Sequence, residues 1–249
     1  MEKVFMKIRW LIKPKLLVFT FLTFSINAFA DTKPERIVSI SPSITEMLFA
    51  IGAGSQVVAV DNNSNYPPTA PLTSLSAIDP NMEAIANFEP DLVILSYDIG
   101  DLVKGLNIIG IETVLLPAAV DFEEILAQIR ELGQKTGNLE QANELTEEMM
   151  SEMTDLIALT QSQDKIRIYH EIDENYYSAS SHSFIGSIYE LLNFSNIADQ
   201  ADKEGYGYPK LSPEYILSLN PGMIILPGKD SDYVDKLKQR AGWSAIDAV

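Results

Sequence analysis

From Arg36 onward the chain alternates short apolar runs with stretches whose apolar residues recur at three- and four-residue spacing. Short runs bounded by turn residues read as buried strands, and the longer spacing reads as one-sided helices. Strands are predicted at Arg36 to Ile40, Val57 to Val60, Asp91 to Leu95 and Thr113 to Leu116. Between them, Ser43-Ile44-Thr45-Glu46 has the form of a capping box opening a helix that stops near Gly52. A second helix runs through Glu83, Ile85 and Ala86, and a third opens at Asp121 with Glu124 as its capping partner. This alternation is that of an α/β fold built on parallel sheets.

The segment Asn138 to Gln163 breaks the rhythm. Leu139, Ala142, Leu145, Met149, Met153, Leu156 and Leu159 mark one face, and Glu140, Glu144, Glu147, Glu148, Glu152 and Asp155 occupy the rest. At 1.5 Å per residue such a helix reaches nearly ~40 Å, long for a crossover helix. It reads as a surface helix of one domain or as a rod between two. The pattern that follows favours the rod, because the first part returns. Glu83-Ala84-Ile85, Pro90 and Val93-Ile94-Leu95 are matched at identical spacing by Glu214-Tyr215-Ile216, Pro221 and Ile224-Ile225-Leu226. Strand-like Arg36-Ile37-Val38 opens one half and Ile166-Arg167-Ile168 the other. The expectation is two Rossmann-like α/β lobes, 31–137 and 164–249, joined by one helix over 138–163, with a ligand cleft between them. After a helix from Tyr233 to Gln239, the run Ala241-Gly242-Trp243-Ser244-Ala245-Ile246 leads to no further strand, so the second lobe is expected to be incomplete at its C-terminal end.

The first thirty residues stand apart. Lys3, Lys7, Arg9, Lys13 and Lys15 precede an apolar run from Leu16 to Phe24, and Ala28-Phe29-Ala30 offers a small-x-small cleavage site. That is the form of a secretory signal peptide, and the run is shorter than the roughly 20 residues of a membrane span. Export through a cleaved signal (1–30) to the periplasm is expected. Removing it leaves 13 basic against 34 acidic side chains. A surface this acidic repels nucleic acid and anionic lipid and suits a freely diffusing monomer. The chain has no cysteine, which excludes disulfides, thiol nucleophiles, thiolate metal sites and a lipidated N-terminal Cys.

Little in the sequence supports catalysis. No nucleophile elbow, phosphate loop or dinucleotide fingerprint occurs, and Ile51-Gly52-Ala53-Gly54 reads as a helix stop. An exported α/β hydrolase is the alternative of a different class, and no nucleophile motif supports it. His170 and His182 are too few and too far apart for a His-built metal site. His170, beside Glu171 and Asp173, reads as a solvated strand end; no metal, cofactor or catalytic residue is assigned. The aromatic loops carry more information. Tyr66, Tyr97, Tyr176, Tyr177, Tyr206 and Tyr208 mostly follow predicted strand ends, where open α/β sheets bind ligands. Tyrosine offers a flat apolar face with a hydroxyl handle.

The run Arg36-Ile37-Val38-Ser39-Ile40-Ser41-Pro42-Ser43-Ile44-Thr45-Glu46, the Tyr66-Pro67 pair, Glu83 with Pro90-Asp91-Leu92-Val93-Ile94, the Glu214 unit and Gly242-Trp243 occur in a recognisable order. In these features the chain resembles the helical-backbone periplasmic binding proteins that serve iron-siderophore, haem and vitamin B12 importers, and most of all the cobalamin-binding type. The resemblance spans Arg36 to Val249. It implies capture of a small molecule in the cleft and delivery to an ABC permease with its ATPase in the inner membrane. It implies that Glu83 and Glu214, one per lobe, dock onto permease arginines, and that Tyr177 and Tyr208 contact ligand; Tyr66 and Tyr97 join them as ligand-binding candidates through their place after predicted strand ends. Two aromatics expected of the cobalamin type are replaced by Asn63 and Ala77, which leaves haem or an iron-siderophore as the alternative ligand. Tyr66, Tyr97 or His182 could then serve haem, and Lys203 and Lys210 an anionic chelate.

Overall fold

A computed structural model describes residues 33–228 and 231–249, so the expected signal peptide lies outside the described residues. The first sheet has β1 (Ile37–Ile40), β2 (Val57–Asp61), β3 (Leu72–Leu75), β4 (Leu92–Leu95) and β5 (Glu112–Leu115) in the order β3-β2-β1-β4-β5. Every pairing in it is parallel. Strands buried on both faces read as continuous apolar runs, and β1 and β4 are buried at every position. One face of the sheet packs Ile37, Leu92 and Ile94 against α1 (Pro42–Ala50) and α4 (Phe122–Thr136). The other packs Val38, Val93 and Leu95 against α2 (Met82–Ala86) and α3 (Leu102–Ile108).

The second sheet comprises β6 (Arg167–His170), β7 (Ser195–Asn196) and β8 (Met223–Ile225) in the order β7-β6-β8, again parallel. Around it lie α6 (Phe184–Leu191), α7 (Pro213–Leu219) and α8 (Ser231–Gln239). The order β7-β6-β8 has the sense of β2-β1-β4. The repeat found in the sequence also has a backbone signature. Glu89 and Asn220, each immediately before the repeated proline, both adopt a left-handed conformation (φ 47° and 44°). Both prolines are buried, and each leads into the strand beside the central one.

The helix between the two sheets is α5 (Leu139–Thr160), 22 residues or ~33 Å long. It is shorter than the periodicity predicts, because the chain leaves the helix in a turn at 160–163, where Asn193 Nδ2 donates to Thr160 O at 3.3 Å and Gln163 O at 3.2 Å. It folds back on α4 through Gly137, a left-handed C-cap. At the crossing a Cβ on Gly133 would meet the Ala142 Cβ at 2.4 Å, so this helix pair requires glycine there. Ala142 and Thr146 are buried in that contact, whereas Leu156 and Leu159 are exposed, so the apolar stripe is used only in its first half.

The start of α1 also differs from expectation. Its N-cap is Ser41 and Pro42 opens the helix, so Ser43 lies inside the first turn. Proline is preorganised for the first helical position and lacks the N–H a cap would satisfy, and no side-chain cap forms. The cap predicted at Asp121 does form, with Glu124 N–H donating to the Asp121 carboxylate at 2.8 Å, while Glu124 Oε2 accepts at 2.9 Å from the N–H of Val120, one residue before the cap.

Candidate functional site

The first sheet reverses its winding between β1 and β4, and that crevice, at the carboxyl ends of the strands, is where such sheets bind ligands. Tyr66 follows β2 and Tyr97 follows β4, the strands flanking β1, about 10 Å apart at strand level. The loop bearing Tyr66 is anchored from below. The fully buried Asp61 carboxylate accepts from Ser64 Oγ–H, and the Thr45 hydroxyl reaches Ser64 Oγ at 3.1 Å and Ser39 Oγ at 2.8 Å. The end of β1, the first turns of α1 and the loop after β2 are thus tied by one buried hydroxyl network. Tyr66 and Tyr97 stand above it, 61% and 63% exposed.

In the second half, residues 176–180 and 207–211 pair as an antiparallel ribbon. Its bonds run from Ser178 N–H to Pro209 O at 3.0 Å, Ser180 N–H to Gly207 O at 2.9 Å and Leu211 N–H to Tyr176 O at 3.0 Å. Tyr177 lies opposite Lys210. Opposed residues share a face, as do residues two apart on one strand, so Tyr177, Tyr208 and Lys210 project from one side. Lys210 Nζ sits 5.7 Å from the centre of the Tyr177 ring. The structure therefore brings Tyr177 and Tyr208 together, and leaves Tyr66 and Tyr97 on the edge of the other sheet.

Tyr176 has a different role. It packs with Trp243 and against the Arg240 guanidinium, 5.1 Å from its ring centre. Arg240 makes a two-pronged pair with the fully buried Glu171 at 2.5 and 2.8 Å, and Tyr169 O–H donates to the same carboxylate at 3.2 Å. Burial, followed by that adjacent carboxylate, pushes the Tyr169 phenol far above its usual range. The end of β6 is therefore a sealed ionic fastening, and the solvated strand end read from the sequence is wrong. The local pattern His170-Glu171 could not disclose a partner sixty-nine residues downstream. His170 turns instead to Tyr189, Nδ1 to hydroxyl 2.7 Å, and burial pushes its imidazole below the usual value. Among the described residues, no group of three His, Asp or Glu side chains is placed to hold a metal ion.

One functional group escaped sequence reasoning altogether. Asp202 is buried and accepts from Ser180 Oγ–H at 2.5 Å, Gly207 N–H at 2.9 Å, Tyr206 N–H at 3.0 Å and His182 Nδ1 at 3.0 Å. Burial opposes its charge, but those donors outweigh burial and bring its pKa down to about 2. It shapes the turn before Tyr208 and holds His182. The spacing Asp202, Gly205, Gly207, with both glycines at positive φ, was the available signal.

Beside this turn lies a cavity of about 920 Å³ between the first turn of α4, the C-terminal half of α5 and the second half of the molecule. Leu126, Met150, Met153, Ile157 and Leu191 form its apolar wall, and His182 and Gly205 border it. None of the four candidate tyrosines lines it.

Glu83 and Glu214 occupy equivalent, exposed positions. Each is in the first turn of a short helix capped by a side chain: Asn81 accepts from Ala84 N–H at 2.8 Å, and Ser212 from Tyr215 N–H at 3.1 Å. In each helix an isoleucine two residues on, Ile85 or Ile216, is fully buried.

These two parallel sheets, the helix between them and ligand-sized loops at the strand ends define a solute-binding protein of the ABC-transporter type. The family profile of periplasmic binding proteins matches residues 37–249, and the chain belongs to that family. Its members bind and deliver solutes and are not enzymes. The chain is 29% identical over 227 residues to an uncharacterised ABC transporter substrate-binding lipoprotein of Bacillus subtilis, covering 87% of this chain and 70% of that one. It is also 29% identical over 212 residues to a cobalamin-binding protein of Halobacterium salinarum, covering 82% of this chain and 57% of that one. The chain thus spans little more than half of that relative. Among solved structures, a possible iron-binding periplasmic solute-binding protein of Staphylococcus epidermidis superposes with a TM-score of 0.74 at 26% identity, covering 86% of each chain.

Proposed function

We propose that this protein captures a large, flat ligand of the corrinoid class in the periplasm, as a monomer, and delivers it to the permease of an ABC importer. The observation that carries this reading is the set of exposed tyrosines at the carboxyl edges of both sheets: Tyr66, Tyr97, Tyr177 and Tyr208, each more than 40% exposed. Large aromatic faces left in water gain from being covered, and a planar macrocycle with polar side arms matches both ring and hydroxyl. The likeness to a cobalamin-binding protein points the same way. Glu83 and Glu214 serve as the docking pair, because a carboxylate on each half can accept the two-pronged bond of a permease arginine. Export by the 1–30 signal places the protein where such a ligand is met.

Titration of the full chain with cyanocobalamin, followed by absorbance and calorimetry, tests the reading. Saturable binding is expected, weakened at least about tenfold, or 1.4 kcal/mol, by Tyr177→Ala or Tyr208→Ala. A Glu83→Ala/Glu214→Ala double variant should bind normally yet fail to support uptake in cells. Loss of affinity in that variant would refute the separation of binding from docking, and no binding of any corrinoid would refute the ligand class.

A further inference from the structure

The cavity beside α5 carries a charge that the tyrosine platform does not. Three carboxylates, Asp121, Glu123 and Glu190, line it, with His182 as the single basic side chain and neither lysine nor arginine. Lys203 and Lys210, the cations nearest in sequence to the aromatic turn, are absent from its wall, and Lys210 is held over Tyr177. The volume, about 920 Å³, is at the upper end of ordinary ligand sites. Its apolar wall is partly exposed. Met150 and Leu191 are 46% and 38% exposed, and Val120 at its mouth is 57% exposed.

The cavity and the platform are mechanically joined. Asp202 holds His182, on the cavity wall, and the backbone of Tyr206 and Gly207, in the aromatic turn, through one carboxylate. A ligand arm entering the cavity and a ring lying on the tyrosines would share this support. An anionic arm there would face three exposed carboxylates, whose repulsion is felt at short range and is screened by salt. A neutral or cationic arm would gain the same field.

We propose that the α5 cavity is the selectivity end of the binding cleft, admitting a neutral or cationic part of the ligand and rejecting anionic ones. This rests on the corrinoid reading above and narrows it. Corrinoids carrying amide arms or a net positive charge should be accepted, and tetrapyrroles with free carboxylates refused.

The test compares three probes on the full chain: aquocyanocobinamide, which is cationic, cyanocobalamin, which has no net charge, and haemin, with its propionates. Affinity should fall in that order, with haemin at least tenfold weaker than cobinamide. In a Glu123→Gln/Glu190→Gln variant, which keeps size and leaves the Asp121 cap intact, the cobinamide-to-haemin ratio should drop at least threefold. Raising salt from 0.05 to 0.5 M should compress the ratio in the parent and not in the variant. Thermal melts of both proteins establish that the variant is folded. Binding of corrinoids with a ratio that neither the variant nor salt alters overturns the charge selection alone. Failure of all three probes to bind overturns the corrinoid reading and this inference with it.

Discussion

The two repeated helix–proline–strand units share one spacing pattern and are secured by different means. In the first, β4 lies between β1 and β5 and is buried at all four positions. Its alternate residues feed two separate apolar clusters, Leu92 and Ile94 on one face, Val93 and Leu95 on the other. In the second, β8 pairs among the described residues only with β6, and its three residues are half-buried. There a single apolar cluster gathers Tyr169, Ile216 and Trp243, and the Glu171–Arg240 pair lies against it. A shared local pattern thus yields one strand buried from both sides and another that is half-buried, in a sheet whose central strand ends in an ion pair with the end of the following helix. The hydrophobic effect scales with the apolar area covered. Where less is covered, directional bonds define the position of the chain.

If that contrast is correct, the largest single loss should come from the ion pair. Arg240→Ala leaves the Glu171 carboxylate uncompensated at zero exposure and removes the cation stacked on Tyr176 and Trp243. Breaking one side of a buried pair typically costs about 3–5 kcal/mol. Urea denaturation followed by tryptophan fluorescence should therefore show a much lower midpoint, or a separate early transition of the second half. Replacing both partners, Glu171→Leu with Arg240→Met, should recover most of the loss. A double variant as unstable as Arg240→Ala would mean that the aromatic stacking, and not the charge, holds the segment.

A direct comparison comes next in size. Ile85 and Ile216 occupy the same place in the two short helices and are both fully buried. Truncation of a core isoleucine to alanine costs about 2–5 kcal/mol, more where neighbours cannot relax into the cavity. Ile85 packs among strands covered on both faces, so Ile85→Ala should lie toward the upper end of that range. Ile216→Ala should lie toward the lower end, since β8 and its neighbours have room to move. Equal losses would show that the second half is as tightly packed as the first despite its shorter sheet.

Much of this arrangement was legible in the sequence because it is local. Short apolar runs located every strand of the first sheet except β3, whose Leu72-Thr73-Ser74-Leu75 has too little apolar character and an exposed Leu72. The repeat, the family resemblance and the exposed tyrosines were all readable, since each is carried by type and spacing. What escaped is what folding brings together across long separations. Glu171 and Arg240 lie sixty-nine residues apart, and Ser180 and Asp202 twenty-two. The cavity combines the start of α4 with the C-terminal half of α5 and the turn at Gly205, which no linear pattern connects. The α5 stripe also misled. Spacing treats Leu156 and Leu159 like Ala142, whereas partners on α4 are present only along the first half.

The smallest expected effect concerns the turn that carries the aromatic platform, and it has a sign fixed by chemistry. The folded state holds the Asp202 pKa at about 2 against an ordinary 3.8. A carboxyl depressed on folding contributes stability that is fully present above its unfolded value and disappears as pH falls toward the folded one. The contribution should therefore be complete at pH 5 and above and decline between about pH 4 and pH 2. Asp202→Asn removes the charge and turns an amide donor toward Ser180, His182 and the two backbone N–H groups. At neutral pH the loss should be about 1.5–3 kcal/mol, the usual worth of hydrogen bonds to a charged group. Urea midpoints of parent and variant, measured from pH 7 to pH 3, should converge as pH falls. A gap that stays constant would mean the variant disturbs packing and not the charge. Because the first half has its own buried carboxylate, Asp61, beneath Tyr66, an Asp61→Asn variant measured alongside would show whether the two platforms are supported in the same way.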